Sequence, residues 1–203
     1  MSAMNIEYYN EYLKYKNLGI KSKVKEYIDY FVDSFLNYDE KELWALEYLP
    51  TLKINNYGRI DCIRYELFEK IIFPVLLNGY KNQNIELMIW LVRFNDNYYG
   101  NNDVNKIMNY KTLFQIINEC YEIDPKNNEV IDLYLEILID EISFNIHHYP
   151  SVILTENIGT KKDQCKKLLE ELPFIHKLDR NKKYYEFLTD YENNIKEYME
   201  RTM

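Results

Sequence analysis

Glu119 to His148 read ECYEIDPKNNEVIDLYLEILIDEISFNIHH, and this stretch carries the strongest helical pattern in the chain. Pro125 cannot continue a preceding helix, so one helix is expected to end near Ile123 and another to begin near Glu129. Asn128 is the expected N-cap, its side-chain oxygen accepting from the free N–H groups of the first turn. At about 100° per residue, Glu129, Asp132, Glu136, Asp140 and Ser143 fall within an arc of about 80°. Val130, Ile131, Leu133, Leu135, Ile137, Leu138, Ile139 and Ile142 fill most of the remaining circumference. The pattern predicts a helix buried on most sides that shows water one narrow, negative stripe. No lysine or arginine lies between Glu129 and His148 to neutralise that stripe along the helix. A solvated polar face is the plain reading. A docking stripe for a basic partner, made of Glu129, Asp132, Glu136 and Asp140, is the sharper one, because the charges are of one sign.

Working outward, the pattern stays helical. Helices are expected over 4–17, closed by Gly19, and over 22–38, capped by Ser22. Another is expected after Asp39, stopped by Pro50. Residues 51–60, TLKINNYGRI, carry turn residues and read as a loop or a small hairpin. The next helix covers 61–78, with Gly79 as its C-terminal cap and a kink or break near Ile71–Phe73 imposed by Pro74. Asn84 opens IELMIWLVRF, apolar almost all round, and NDNYYGNND reads as a polar turn. Asp103 is the expected cap of a helix reaching Ile123. After His148, YPSVILTENIGT reads as an extended segment or loop, followed by helices over about 161–172, stopped by Pro173, and about 181–201. The expectation is a single all-α domain over 1–203, an irregular stack or bundle of about eight to ten helices of helical-repeat-like character, with 51–60 as the candidate point of subdivision. Ile131, Leu135, Leu138, Ile142, Trp90 and Phe114 are the expected core.

Composition narrows the chemistry. The 203-residue chain is 47% hydrophobic and 29% charged, with only five glycines and five prolines, too few for a turn-rich β fold. Its 21 tyrosines each bring an apolar ring and a hydroxyl that needs a partner when buried. The net charge is −8, and residues 101–160 hold 10 acidic and 3 basic side chains. That asymmetry argues against direct nucleic-acid binding, since phosphates require a basic face. Cys62, Cys120 and Cys165 are odd in number and widely spaced, as expected of buried thiols in a reducing compartment. The N-terminal MSAMNIEYYNEYLKYK has no apolar core of a signal peptide, and no run of about 18 apolar residues occurs. The reading is a cytoplasmic protein with no membrane partner.

No catalytic motif appears. Adjacent His147 and His148 cannot both face one metal from a regular helix, and Cys165 and His176 lack zinc-site spacing. Glycines are not clustered for phosphate binding. None of Arg59, Arg64, Arg93, Arg180 or Arg201 is followed by the histidine that HEPN-type helical RNases use. Glu-x-x-His pairs for a di-metal bundle site are also missing. No catalytic residue, metal or cofactor is expected, and the protein is read as a binder, not an enzyme.

Two resemblances suggest what it binds. ELWALEYLP, RYELFEKIIFPVLLNGYK and LYLEILIDEISFNIHHYPSVIL, with the chain's size and acidity, resemble bacterial immunity proteins of contact-dependent growth inhibition systems. The resemblance implies stoichiometric binding to a cognate toxin domain, often a basic nuclease, with the acidic stripe in the place of the phosphate backbone. INECYEIDPKNNEVIDLYLEIL instead resembles the boundary between tetratricopeptide units, and implies an adaptor or regulator that binds a peptide in a groove between helices. No second Asp-Pro follows at the repeat period of about 34 residues.

Overall fold

The computed structural model describes residues 4–153 and 162–201. Among them the fold is all-α, with no strand beyond one isolated bridge. The chain packs as two compact units, Met1–Ile123 and Asp124–Met203. Their boundary falls at the Asp-Pro turn, and residues 51–60 lie inside the first unit.

In the first unit, α1 (Ile6–Asn17) and α2 (Lys21–Asp33) pack against each other. Gly19 turns the chain between them in the left-handed region at φ 71°, and the Ile20 N–H reaches back to the Tyr15 carbonyl. The second helix begins too soon for Ser22 to cap it: Ile20 holds the cap position, with no side-chain bond. α3 (Tyr38–Tyr48) is capped by Asn37, which accepts from the Glu40 N–H, so Asp39 sits inside the first turn. A short 3-10 turn over Leu49–Thr51 ends it at Pro50, as expected. Aromatic rings bind these helices together. Tyr9 lies 5.0 Å from Phe31 and 5.5 Å from Trp44, and Trp44 stacks on Tyr48 at 4.5 Å. Residues 51–60 form the small hairpin in minimal form, an antiparallel bridge between Ile54 and Ile60.

α4 (Tyr65–Leu67), a π-helical stretch (Phe68–Ile72) and α5 (Phe73–Lys81) follow one another without a gap. Pro74 lacks an N–H and crowds the carbonyl four residues back. The wider π turn, in which the Phe73 N–H reaches the Phe68 carbonyl, absorbs that conflict where a kink was expected. Gly79 is not a cap. It is buried within α5, where a Cβ would stand 2.4 Å from the Leu87 Cβ, so its small size lets α5 meet α6 (Ile85–Arg93). Gln83, at φ 55°, takes the left-handed position after the helix instead. Asn84 caps α6 as expected, and Leu87 to Val92 are all buried. The polar NDNYYGNND stretch contains a short helix, α7 (Asn95–Tyr99). Its hydrophilic letters mislead because Asn97 is buried: its side-chain amide donates to the Ile63 carbonyl at 2.9 Å and accepts from the Ile63 N–H at 3.0 Å. The helix expected over 104–123 with Asp103 as its cap is two, α8 (Asn102–Ile107), capped by Asn101 with Asp103 in its first turn, and α9 (Leu113–Ile123). Asn109 and Tyr110, both at positive φ, separate them. Leu113, Ile116, Ile117 and Cys120 form the buried stripe of α9. Phe114, expected in the core, stands about 100° off that stripe and is 38% exposed.

In the second unit, α10 (Asn128–Ile153) is longer than expected and takes in the first residues of YPSVILTENIGT; residues 154–160 of that stretch lie outside the described residues. Ile131, Leu135, Leu138 and Ile142 are buried as the period requires. α11 (Lys162–Leu178) passes through Pro173 without stopping. Buried Leu172, Ile175 and Leu178 on either side of the proline anchor the helix, and their packing offsets its cost of about 3 kcal/mol. α12 (Tyr185–Arg201) packs on α11 and buries Leu188, Tyr191 and Ile195.

Candidate protein-binding surface

The acidic stripe of α10 begins at its cap. Asn127, one residue earlier than expected, accepts from the N–H groups of Glu129 and Val130 at 3.0 and 3.2 Å. Asn128 is thereby freed to accept a bond from Arg180 at 3.0 Å. Val130, Ile131, Leu133, Tyr134, Leu135, Leu138, Ile139 and Ile142 are buried, which leaves the carboxylate arc as the outer face. Glu129 and Asp132 are exposed, while Glu136 and Asp140 are half-buried.

The stripe is not bare. The turn between α11 and α12 lays cations along it: the Arg180 guanidinium stands 3.8 Å from Asp132, and the Lys183 ammonium donates to Glu136 at 2.7 Å. The Tyr184 hydroxyl reaches both oxygens of the same carboxylate, at 2.8 and 2.9 Å. Glu136 is only 17% exposed as a result, against 71% for Asp132. No lysine or arginine of α10 itself pairs with the stripe, but the expected exposure of all four carboxylates is corrected: Glu136 and Asp140 are half-buried, and Asp132 and Glu136 meet cations. The neighbours come from a segment 47 residues on, which a pattern confined to one helix cannot register.

The turn is itself held in shape. Buried Asp179 accepts from the N–H groups of Lys183 and Tyr184, both at 2.8 Å, and Lys182 adopts φ 55° between them. The Lys183 ammonium lies over the Tyr184 ring at 4.6 Å. Its hydrogen bond to Glu136, and then the one to Tyr184, hold it protonated well above the usual lysine range. Burial, then the Glu136 hydrogen bond, raises the Tyr184 hydroxyl. The only sequence signal for this cluster was the basic run Arg180, Lys182, Lys183 just ahead of the last helix.

A second polar cluster lies in the first unit. Lys111 donates to the Tyr80 hydroxyl at 2.5 Å and pairs with Glu119, which also accepts from Tyr80 at 2.9 Å. A cleft of about 410 Å³ adjoins it, lined by Tyr80, Lys81, Gln83, Met88, Glu119, Glu122 and Ile123. Among the described residues no group of three or more His, Cys, Asp or Glu is placed to hold a metal. The side chains of His147 and His148 lie outside the described residues; His176 is half-buried with its ring 5.9 Å from Tyr185. Cys120 and Cys165 are buried as expected, but Cys62 is exposed on the irregular stretch before α4. Burial, with Glu119 next to it, pushes the Cys120 thiol up to about 12, which keeps it protonated and unreactive. No helix of the described residues is long and apolar enough to cross a membrane. Comparison with protein-family models, with curated proteins and with solved structures finds no match.

Proposed function

We propose that this protein is a stoichiometric inhibitor, an immunity protein that binds a cognate toxin domain in the cytoplasm and blocks a basic, nuclease-type active site with the acidic face of α10. It does no catalysis of its own. The observation that carries the proposal is that this face already takes up cations, a guanidinium from Arg180 at Asp132 and an ammonium from Lys183 at Glu136. A toxin surface built to bind phosphates offers the same groups. Asp132, with most of its side chain in water, is far more open to them than Glu136.

The test is co-expression with the toxin domain encoded next to this chain. A complex of equal stoichiometry, growth protection, and loss of both on Asp132→Lys with Glu129→Lys are the expected results. A toxin that neither binds nor is restrained would overturn the proposal. Glu136→Lys is a poor probe, because it breaks the bonds to Lys183 and Tyr184 as well. The competing reading, an adaptor that binds a peptide between helices, is favoured by the cleft beside Tyr80 and Glu119. Protection retained in the α10 variants but lost on Glu122→Lys in that cleft would move the interface there.

A further inference from the structure

We infer that the Arg180–Tyr184 turn is a built-in competitor for the acidic face, which a basic partner has to displace before it can dock. The inference rests on the proposed use of that face and adds its regulation. It stands on the side chains laid across α10, not on the carboxylates alone. Arg180 spans Asn128 and Asp132, and Lys183 and Tyr184 close on Glu136 one turn further along. The turn therefore lays two cations and a phenol along the same row of carboxylates that a basic partner would use.

Its attachment is suited to exchange. The contact with Asp132 is long, at 3.8 Å, and the Arg180 and Lys183 side chains remain 45% and 59% exposed. The Arg180–Asp132 pair, exposed on both sides, is weakened by solvent and salt and worth little, and the Lys183–Glu136 bond is the tighter of the two. The backbone of the turn is secured independently of α10, through the two bonds to Asp179. Arg180 and Lys183 can therefore swing off the carboxylates while the turn keeps its two bonds to Asp179. An intramolecular cation lowers the apparent affinity for an external one by the fraction of time it holds the face. Weak, mismatched cations are thereby excluded, and a partner that offers several well-placed ones is not.

The experiment measures binding of a synthetic poly-arginine peptide to the full-length protein at low and moderate salt. Four forms are compared: wild type, Arg180→Gln with Lys183→Gln, Asp132→Asn with Glu136→Gln, and a charge-matched control, Lys196→Gln with Arg201→Gln. The control removes the same charge from α12, where each cation pairs with a glutamate four residues earlier. If the turn covers the face about nine-tenths of the time, its removal tightens binding about tenfold, and the control changes it less than about twofold. Hydrogen exchange at the Lys183 and Tyr184 amides should stay protected by Asp179 when peptide binds the wild type. Equal tightening in the turn variant and the control would overturn the inference while leaving the docking face intact, provided Asp132→Asn with Glu136→Gln still weakens binding. No weakening in that last variant would overturn the docking face and the inference together. Should the turn variant fail to fold, Tyr184→Phe carries the test, since it loosens the turn without a change of charge. It should tighten binding about twofold, and no change would count against the inference.

Discussion

Each unit closes a helical carboxylate with one lysine and one tyrosine, but from different distances. In the first unit Glu119 on α9 meets Lys111, eight residues earlier, and Tyr80, 39 residues earlier on α5. In the second, Glu136 on α10 meets Lys183 and Tyr184, 47 and 48 residues later, both from one turn. The surroundings differ more than the chemistry. The first cluster joins helices already locked by apolar contact, since α6 is buried from Leu87 to Val92 and meets both α5 and α9. The second lies on the charged face of its helix, where these contacts hold the turn's side chains to α10 while Asp179 holds its backbone. A Lys–Tyr–Glu cluster is thus an accessory where burial has already decided the packing, and a fastening where it has not.

The largest effect should come from the apolar side of that contrast. Phe31 is fully buried and rings the same pocket as Tyr9, Phe35 and Trp44. Phe31→Ala should cost about 3–5 kcal/mol. Trp44 and Trp90 are the only tryptophans and both lie in the first unit, so fluorescence during denaturation reports that unit. Circular dichroism reports both. Identical midpoint shifts by the two probes, for this and every other variant, would erase the distinction between the units.

Gly79→Ala comes next, at about 1–3 kcal/mol, because the added methyl drives into Leu87 and parts α5 from α6. Gly19→Ala meets no neighbour and should cost only about 1 kcal/mol, from the positive φ. A larger loss at Gly19 than at Gly79 would show that the turn, not the helix contact, organises the first unit.

Alkali should also weaken the first unit. The Cys120 thiol, raised from its unfolded value of about 8.5 to about 12, holds its proton in the folded state after the unfolded chain has lost it. Its contribution is complete below about pH 8.5 and is lost as pH rises toward 12, at no more than about 1.4 kcal/mol per pH unit. Tyr98, buried and likewise raised to about 12, adds to the loss above about pH 10. Cys120→Ala should flatten the decline between pH 8.5 and 10 in fluorescence-monitored unfolding; an unchanged slope would refute the assignment.

The smallest effect separates the two clusters directly. Tyr184→Phe should cost about 1 kcal/mol, the ordinary worth of a hydrogen bond to a charged group at a partly exposed site, and Tyr80→Phe about half as much. The reverse order would mean that the Glu119 cluster is the fastening and the Glu136 cluster the accessory.

Helical period, the Asn84 cap, the stop at Pro50 and the buried positions Ile131, Leu135, Leu138 and Ile142 were all determined by the sequence alone. These depend on interactions a few residues long: hydrogen bonds to i−4, side chains that recur every 3.6 residues, and a proline without an N–H. The carboxylate row on the outer face of α10 was legible for the same reason. Tertiary structure decided whatever depended on a residue's distant neighbours. Pro173 continues a helix because apolar side chains around it are buried, and Gly79 serves contact with Leu87 instead of ending a helix. Asn97 belongs to the interior because Ile63, 34 residues away, satisfies its amide. The same limit governs the candidate surface. A charge is free or paired according to what the rest of the chain sets against it, and only the folded turn at 180–184 reveals that Glu136 is held while Asp132 still faces water.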